Sequence, residues 1–273
     1  MSVLDRIEFA DIEGIRVGRF TSQINTTCIL YRLGGTVIDT GPPNQWRFVR
    51  RFLEEKEVQR VLVTHHHEDH SGNLAPIDRT LKTPVLSPRE AIEPLSKGYE
   101  VQFYRRLIWG RPLVVETAPV PDRMELAGGL SLATIPTPGH SPDSTCYLEP
   151  DRGWLFTGDL YIAARTRYLR QDEDLGEHIA SLRRVLELDF DTLLCSHRGV
   201  IAAGREALTR KLDYLVSLRG EVHRLHAQGK SVTEITRELL GGEGHLSLFT
   251  RFHFAKRNLI AACLDLPDTS TED

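Results

Sequence analysis

Short apolar runs separated by turn residues open the chain. Ile7-Glu8-Phe9, Ile15-Arg16-Val17 and Thr27-Cys28-Ile29-Leu30-Tyr31 are rich in β-branched and aromatic residues and predict strands. Gly34-Gly35 predicts a hairpin into Thr36-Val37-Ile38, which ends at Asp39-Thr40-Gly41. Trp46, Val49 and Leu53 fall at helical spacing, so 46–55 reads as a surface helix leading to a buried strand, Val61-Leu62-Val63. A strand at Pro84-Val85-Leu86 follows. A helix over 88–97 comes next, with Ser87 as its cap, Pro88 in its first turn and Glu90 behind. Strand-and-turn rhythm resumes at 116–135 with a hairpin turn at Gly128-Gly129. Cys146-Tyr147-Leu148 and Trp154-Leu155-Phe156 flank a turn at Pro150-Asp151-Arg152-Gly153. A helix over 175–188 and a strand over 190–195 complete this part.

From Gly204 the pattern turns all-helical, with helices expected over 205–228, 231–240 and 250–264. Ser231-x-x-Glu234 is a capping box, and Gly241-Gly242 stops that helix. The expected organisation is a mixed α/β domain at 1–203 and a C-terminal α-helical extension at 204–273.

Composition narrows the classes. A chain of 273 residues can bury a substantial core, and a formal net charge of −4 provides no basic field for nucleic acid. No apolar run approaches the ~20 residues of a spanning helix. The start, Met1-Ser2-Val3-Leu4-Asp5-Arg6, lacks the basic-then-apolar order of a secretory signal. Cys28, Cys146, Cys195 and Cys263 are widely spaced, as reduced core thiols of a cytoplasmic protein would be.

The chemistry concentrates in Thr64-His65-His66-His67-Glu68-Asp69-His70-Ser71-Gly72, with four histidines and two carboxylates inside six residues. Such groups are costly to bury unless something pairs them, and a divalent cation does so. On an extended exit from the preceding strand, His65 and His67 point the same way, whereas Asp69 and His70 follow the bend and can face a second, neighbouring position. Two adjacent metals suit this spacing. Further on, Tyr99, Phe103, Tyr104, Arg105, Arg106 and Trp109 crowd aromatics with arginines. That segment reads either as an amphipathic helix packed on the body or as an insertion overhanging a metal site. Four more histidines, His223, His226, His245 and His253, lack carboxylates at ligand spacing and read as surface or packing residues.

His65-x-His67-x-Asp69-His70 resembles the HxHxDH signature of the metallo-β-lactamase superfamily, which includes glyoxalase II-like thioesterases, lactonases and nucleases. Three further stretches fit the same pattern in order: Thr137-Pro138-Gly139-His140, Phe156-Thr157-Gly158-Asp159 and Leu193-Leu194-Cys195-Ser196-His197. The resemblance covers about residues 10 to 200 and implies a four-layer αββα sandwich with metals at one edge between two sheets. Carried over position by position, it places His65, His67 and His140 on one metal and Asp69, His70 and His197 on the other, with Asp159 bridging. It implies two zinc ions, with iron or manganese as alternatives, and a bridging hydroxide as nucleophile. Asp69 and Asp159 are the expected catalytic carboxylates. His66 and Glu68 are expected to face away, Glu68 with a supporting role as the alternative. Asp39 is a frequent neighbour of the ligands in this family; a turn-holding role is the alternative.

The implied activity is hydrolysis of a small thioester, lactone or ester. Two alternatives are a nuclease or phosphodiesterase of the same fold and a mononuclear-iron persulfide dioxygenase. Asp159 stands where antibiotic-hydrolysing zinc β-lactamases characteristically carry cysteine, so that activity is not implied. His67 replaces the glutamate of flavodiiron oxidases. Tyr104, Arg105, Trp109, Tyr161 and Arg165 are the candidate substrate residues, and the C-terminal helices either cap the site or form a homodimer contact.

Overall fold

The computed structural model describes residues 5–20 and 24–268. Met1–Leu4, where the reading of the chain's start begins, lie outside the described residues. Seven strands form the first sheet in sequence order: β1 (Asp5–Phe9), β2 (Ile12–Val17), β3 (Cys28–Leu33), β4 (Thr36–Ile38), β5 (Arg60–Leu62), β6 (Val85–Ser87) and β7 (Ala118–Pro119). The first four run antiparallel; β1 and β2 are joined by a tight turn, and Leu33 pairs with Thr36 across Gly34-Gly35 as expected. From β4 to β7 the pairing is parallel, which requires crossovers. These are α1 (Trp46–Glu54), then α2 (Glu68–Ser71) with α3 (Leu74–Pro76), then α4 (Ile92–Lys97) with α5 (Phe103–Trp109).

Val49, Phe52 and Leu53 of α1, Leu74 and Ala75 of α3 and Leu95 of α4 pack on Ile15, Leu30, Val37, Val61 and Val85, a helix layer on one face of the sheet. The other face packs on the second sheet. That sheet contains β8 (Arg123–Glu125), β9 (Ser131–Pro136), β10 (Thr145–Glu149), β11 (Trp154–Gly158), β13 (Thr192–Cys195) and β14 (Gly199–Ile201), in the order β14-β13-β11-β10-β9-β8. Ile29, Tyr31 and Leu62 of the first sheet meet Leu132, Tyr147, Phe156 and Leu194 of the second. Tyr31 stands edge-on to Phe156, ring centroids 5.7 Å apart. Backbone and side-chain bonds stitch the sheets at one edge. The Ile29 N–H donates to Ser196 O at 2.6 Å, and Thr145 N–H donates to Thr64 O at 2.9 Å. The Tyr147 hydroxyl donates to Val63 O at 2.7 Å.

The chain divides into two units. The first comprises 1–137, 142–162 and 189–204, and holds both sheets. The second comprises 138–141, 163–188 and 205–273. It contains β12 (Leu169–Arg170), α6 (Leu175–Leu186), α7 (Gly204–Ala227), α8 (Val232–Leu240), α9 (His245–Phe249), β15 (Phe254–Ala255) and α10 (Lys256–Asp265). Gly204 stands at the junction, where the first unit ends and α7 begins.

Two expectations need correction. Residues after Gly204 are not all helical: the helix expected over 250–264 starts only at Lys256, because Arg251 and Phe252 adopt left-handed φ values of 53° and 64°. The freed stretch becomes β15, which pairs antiparallel with β12. The second correction concerns Ser87. It ends β6 rather than capping a helix, its hydroxyl contacts Thr117 Oγ1 at 2.7 Å, and a short 3-10 turn at Arg89–Ala91 precedes α4. The Ser231–Glu234 capping box is present as expected. No helix among the described residues is long and apolar enough to cross a membrane.

Candidate metal centre

The candidate ligands of the first unit sit just beyond strand ends on the stitched edge. Asp39 follows β4, residues 64–70 follow β5, Asp159 follows β11 and His197 follows β13. Loops at strand ends are free to place side chains that a rigid sheet supports. Here the loop after β5 is held by its neighbours. Thr64 N–H and hydroxyl both donate to Asp39 Oδ1, at 2.8 and 3.0 Å. Gly158, at φ 47°, lets β11 approach so closely that an added Cβ would lie 2.8 Å from Thr64 Cβ.

His65 Nε2 and His67 Nδ1 face each other at 2.9 Å. The chain bends at His67 and α2 begins at Glu68, earlier than the extended exit suggests, so Asp69 and His70 lie in a helical turn. His70 Nδ1 lies 2.7 Å from Asp39 Oδ2, which also accepts from Ser196 Oγ at 2.8 Å. A carboxylate only accepts, so Nδ1 carries the proton and Nε2 presents its lone pair. That Nε2 is buried without a hydrogen-bond partner. It faces Asp159 Oδ1 at 3.4 Å and Asp69 Oδ2 at 3.7 Å.

His197 repeats the arrangement: Nδ1 lies 2.6 Å from Thr27 O, and Nε2 faces Asp159 Oδ1 at 3.0 Å and Asp69 Oδ2 at 3.7 Å. Arg16 donates to the His197 carbonyl at 2.6 Å and to Thr27 Oγ1 at 3.1 Å, fixing that backbone. Asp39 therefore does more than hold a turn. It sets the tautomer of His70, as partners of metal-bound histidines do.

Two imidazole Nε2 atoms directed at two buried carboxylates call for positive charge between them, as protons on the rings or as a bound cation. Burial pushes His197 toward its neutral form, yet Asp159 and then Asp69 override that and raise its pKa above the ordinary histidine range. Ligand atoms of Asp69, His70 and His197 lie within 4.8 Å of one another, as do those of His65, His70 and Asp159. Nitrogen and carboxylate oxygen at this spacing fit divalent zinc, iron or manganese.

His140 belongs to the second unit. Its Nδ1 lies 3.1 Å from Glu173 Oε1, and Arg170 Nη2 donates to its carbonyl at 2.8 Å. Burial opposes ionisation of Glu173, but Arg170 and His140 hold its carboxyl below the ordinary range. Glu173 was not singled out from the sequence; its place three residues after Arg170, just ahead of a helix, is the local signal for it.

The other candidates are distributed as follows. His66 is mostly buried and is clamped by Asp143, whose Oδ2 accepts its backbone N–H at 2.6 Å and whose Oδ1 meets Nδ1 at 2.8 Å. Asp143 was another residue that sequence reasoning passed over. Glu68 faces inward, fully buried on Arg105; burial pushes its carboxyl up against the opposing pull of that arginine. Tyr104 and Trp109 are buried, as is Tyr161, whose carbonyl accepts from Cys195 Sγ at 2.8 Å. Backbone N–H groups of His197 and Arg198 donate to the same sulfur, a structural use of the thiol. Arg165 is exposed.

A family model described as the metallo-beta-lactamase superfamily matches residues 21–197. The chain belongs to the metallo-β-lactamase superfamily. A hydroxyacylglutathione hydrolase of Idiomarina loihiensis is 30% identical over 227 residues, covering 81% of this superfamily member and 78% of the relative. The lactamase-like protein aptB of Emericella nidulans is 28% identical over 169 residues, 60% of this chain and 48% of aptB; this chain thus spans about half of that relative. A crystal structure of a beta-lactamase domain protein from Burkholderia ambifaria superposes with a TM-score of 0.74 at 19% identity, over 95% of this chain and 87% of the other. That similarity is one of fold, the metallo-β-lactamase fold of two facing sheets with helices outside.

Proposed function

We propose that this metallo-β-lactamase-superfamily member is a dinuclear zinc hydrolase acting on a small carbonyl compound, a thioester before a lactone or ester. Its broader class, a metal-dependent hydrolase, follows from its family and its hydrolase relatives. The observation that carries the metal-binding reading is the pair of Nε2 atoms on His70 and His197, both aimed at Asp159 and Asp69 and both rings fixed from behind; the second metal rests on the sequence pattern. Asp69, His70 and His197 would hold one metal. His65 and His67 would hold the other together with His140, which the sequence pattern supplies, and Asp159 would serve both.

When bound, such cations lower the pKa of water from about 15.7 toward about 7 and polarise a carbonyl. The chain's own groups do the rest. Asp69, beside both imidazoles, orients the nucleophilic water, while Asp39 and Thr27 keep protons on the far side of the rings. Thioesters rank first because one relative is named for hydrolysis of an acylglutathione. Tyr161 and Arg165 stand as substrate-side candidates.

Elemental mass spectrometry on protein purified without added metal tests the reading. About two zinc equivalents, falling to one or fewer in Asp159→Ala, together with salt-independent turnover of an acyl thioester, are expected. Absence of metal even after reconstitution, or turnover confined to phosphodiesters, overturns it.

A further inference from the structure

Glu68 lies between His67 and Asp69, yet both of its carboxylate oxygens are committed elsewhere. Arg105 Nε donates to Oε1 and Nη2 to Oε2, each at 2.7 Å, the parallel two-bond fork that only arginine offers. The side chains are 0% and 9% exposed, so the pair is out of water. A buried pair of this kind adds little stability over an apolar replacement, but losing one partner strands a buried charge and is strongly destabilising. The strongest use of such a pair is to fix one arrangement among several.

The arrangement that it fixes can be read from the elements. Glu68 is the first residue of α2, and the two that follow it in that single turn are Asp69 and His70. With only four residues, α2 has too few internal bonds to hold its own orientation. Arg105 sits on α5, which is docked independently of the pair. Asn44 Nδ2 donates to Ile108 O at 2.8 Å and Arg19 Nη1 to Leu107 O at 3.1 Å. Just ahead of α5, the Tyr99 hydroxyl donates to His66 O at 2.8 Å and its ring stands edge-on to the His66 imidazole, centroids 4.7 Å apart. The segment that read either as a helix packed on the body or as an overhang of the metal site therefore packs on the metal loop, gripping it at His66 and at Glu68.

We propose that Arg105 is a positioning residue for the metal loop: through Glu68 it sets the orientation of α2, and with it the geometry in which Asp69 and His70 take a metal. This rests on the metal-binding reading above and adds a residue outside the ligand set to it. It follows that occupancy of the Asp69–His70–His197 position depends on a helix that contributes no ligand.

Chelator-competition titration of zinc on the full chain, paired with amide hydrogen exchange of residues 66–71 in metal-free protein, tests the inference. In Arg105→Gln the weaker of the two zinc-binding steps is expected to lose about tenfold or more in affinity, the scale typical of lost ligand support. Exchange over 66–71 is expected to rise. In Glu68→Gln/Arg105→Gln, where a neutral amide pair replaces the stranded charge, both are expected to return most of the way to wild type. Should Arg105→Gln fail to fold, Arg105→Lys keeps the charge without the fork and is expected to show the same two changes in smaller measure. Wild-type zinc affinity and wild-type exchange in a folded Arg105 variant, with only the melting temperature lowered, overturn the proposal. A wild-type chain that binds no zinc removes the reading of function instead, and the exchange measurement still decides what Arg105 does to the loop.

Discussion

Asp39 adopts φ 62°, a conformation that few residues other than glycine tolerate, and spends it on four bonds: Thr64 N–H and hydroxyl, His70 Nδ1 and Ser196 Oγ. Asp39→Ala removes the acceptor that keeps the proton on His70 Nδ1. Zinc affinity is expected to fall about 10- to 100-fold, measured by chelator competition, with the ligands themselves intact. Gly72 is a different kind of demand. Its φ is ordinary, but an added Cβ would fall on the Glu68 carbonyl oxygen and the Pro43 ring, and 2.6 Å from the Pro43 nitrogen. Gly72→Ala is expected to cost about 2 kcal/mol or more in urea unfolding and to displace the metal loop. At this scale the candidate ligands were legible because their types are wrong for a core and right for a cation. Their supports were legible only in part. Asp39, 31 residues from His70, was marked by the family resemblance, whereas Thr27 lies 170 residues from His197 and no local pattern marks such a pair.

Helix starts show the same limit among the elements. The Ser231 box was readable because cap and partner are three residues apart. By contrast, α10 begins where the sequence offers no capping residue of its own. Its first N–H groups, on Lys256 and Arg257, donate to the Glu243 carboxylate at 3.2 and 2.8 Å, and that carboxylate also accepts from the Ser247 hydroxyl. An anion at a helix N-terminus is favourable, so the expected helix over 250–264 gave way to one that starts where Glu243 can reach. Burial opposes ionisation of Glu243, but Ser247 and the two backbone N–H groups outweigh it and lower its pKa. With the folded value below the unfolded one, its contribution is present above the usual carboxylate range, ~4.3, and fades as pH falls through the lowered value. Glu243→Gln is expected to cost about 1 kcal/mol near neutrality in chemical unfolding, and the gap from wild type is expected to shrink as pH drops below about 4.

Across the whole molecule, the alternation of apolar runs and turn residues marked most of the strands and the helices α1 and α4, while the two-sheet arrangement was implied by the family resemblance. The paired strands β12 and β15 escaped it, since two-residue strands carry no period. All four cysteines are buried and none forms a disulfide, and burial pushes the thiols of Cys146 and Cys263 up to about 12. A native chain is therefore expected to leave a thiol reagent at neutral pH almost unreacted, and an unfolded one to titrate four thiols; fast reaction of the native protein would place a thiol at the surface. Ligand binding to the folded state alone stabilises it by mass action. Chelation is accordingly expected to lower the melting temperature by several degrees, and stoichiometric zinc to restore it.

Leu169–Arg170 pairs with Phe254–Ala255, and Arg170 holds the carbonyl of His140 while its neighbour Glu173 holds the ring. The residues that prepare His140 are thus fastened by a strand made some eighty positions later. On the ribosome, a chain extended only as far as α8 has all the histidines and aspartates of the proposed centre in hand but not the strand that secures Arg170. Maturation of that imidazole is expected to be a late event, timed by the emergence of residues 254–255 rather than by the supply of zinc.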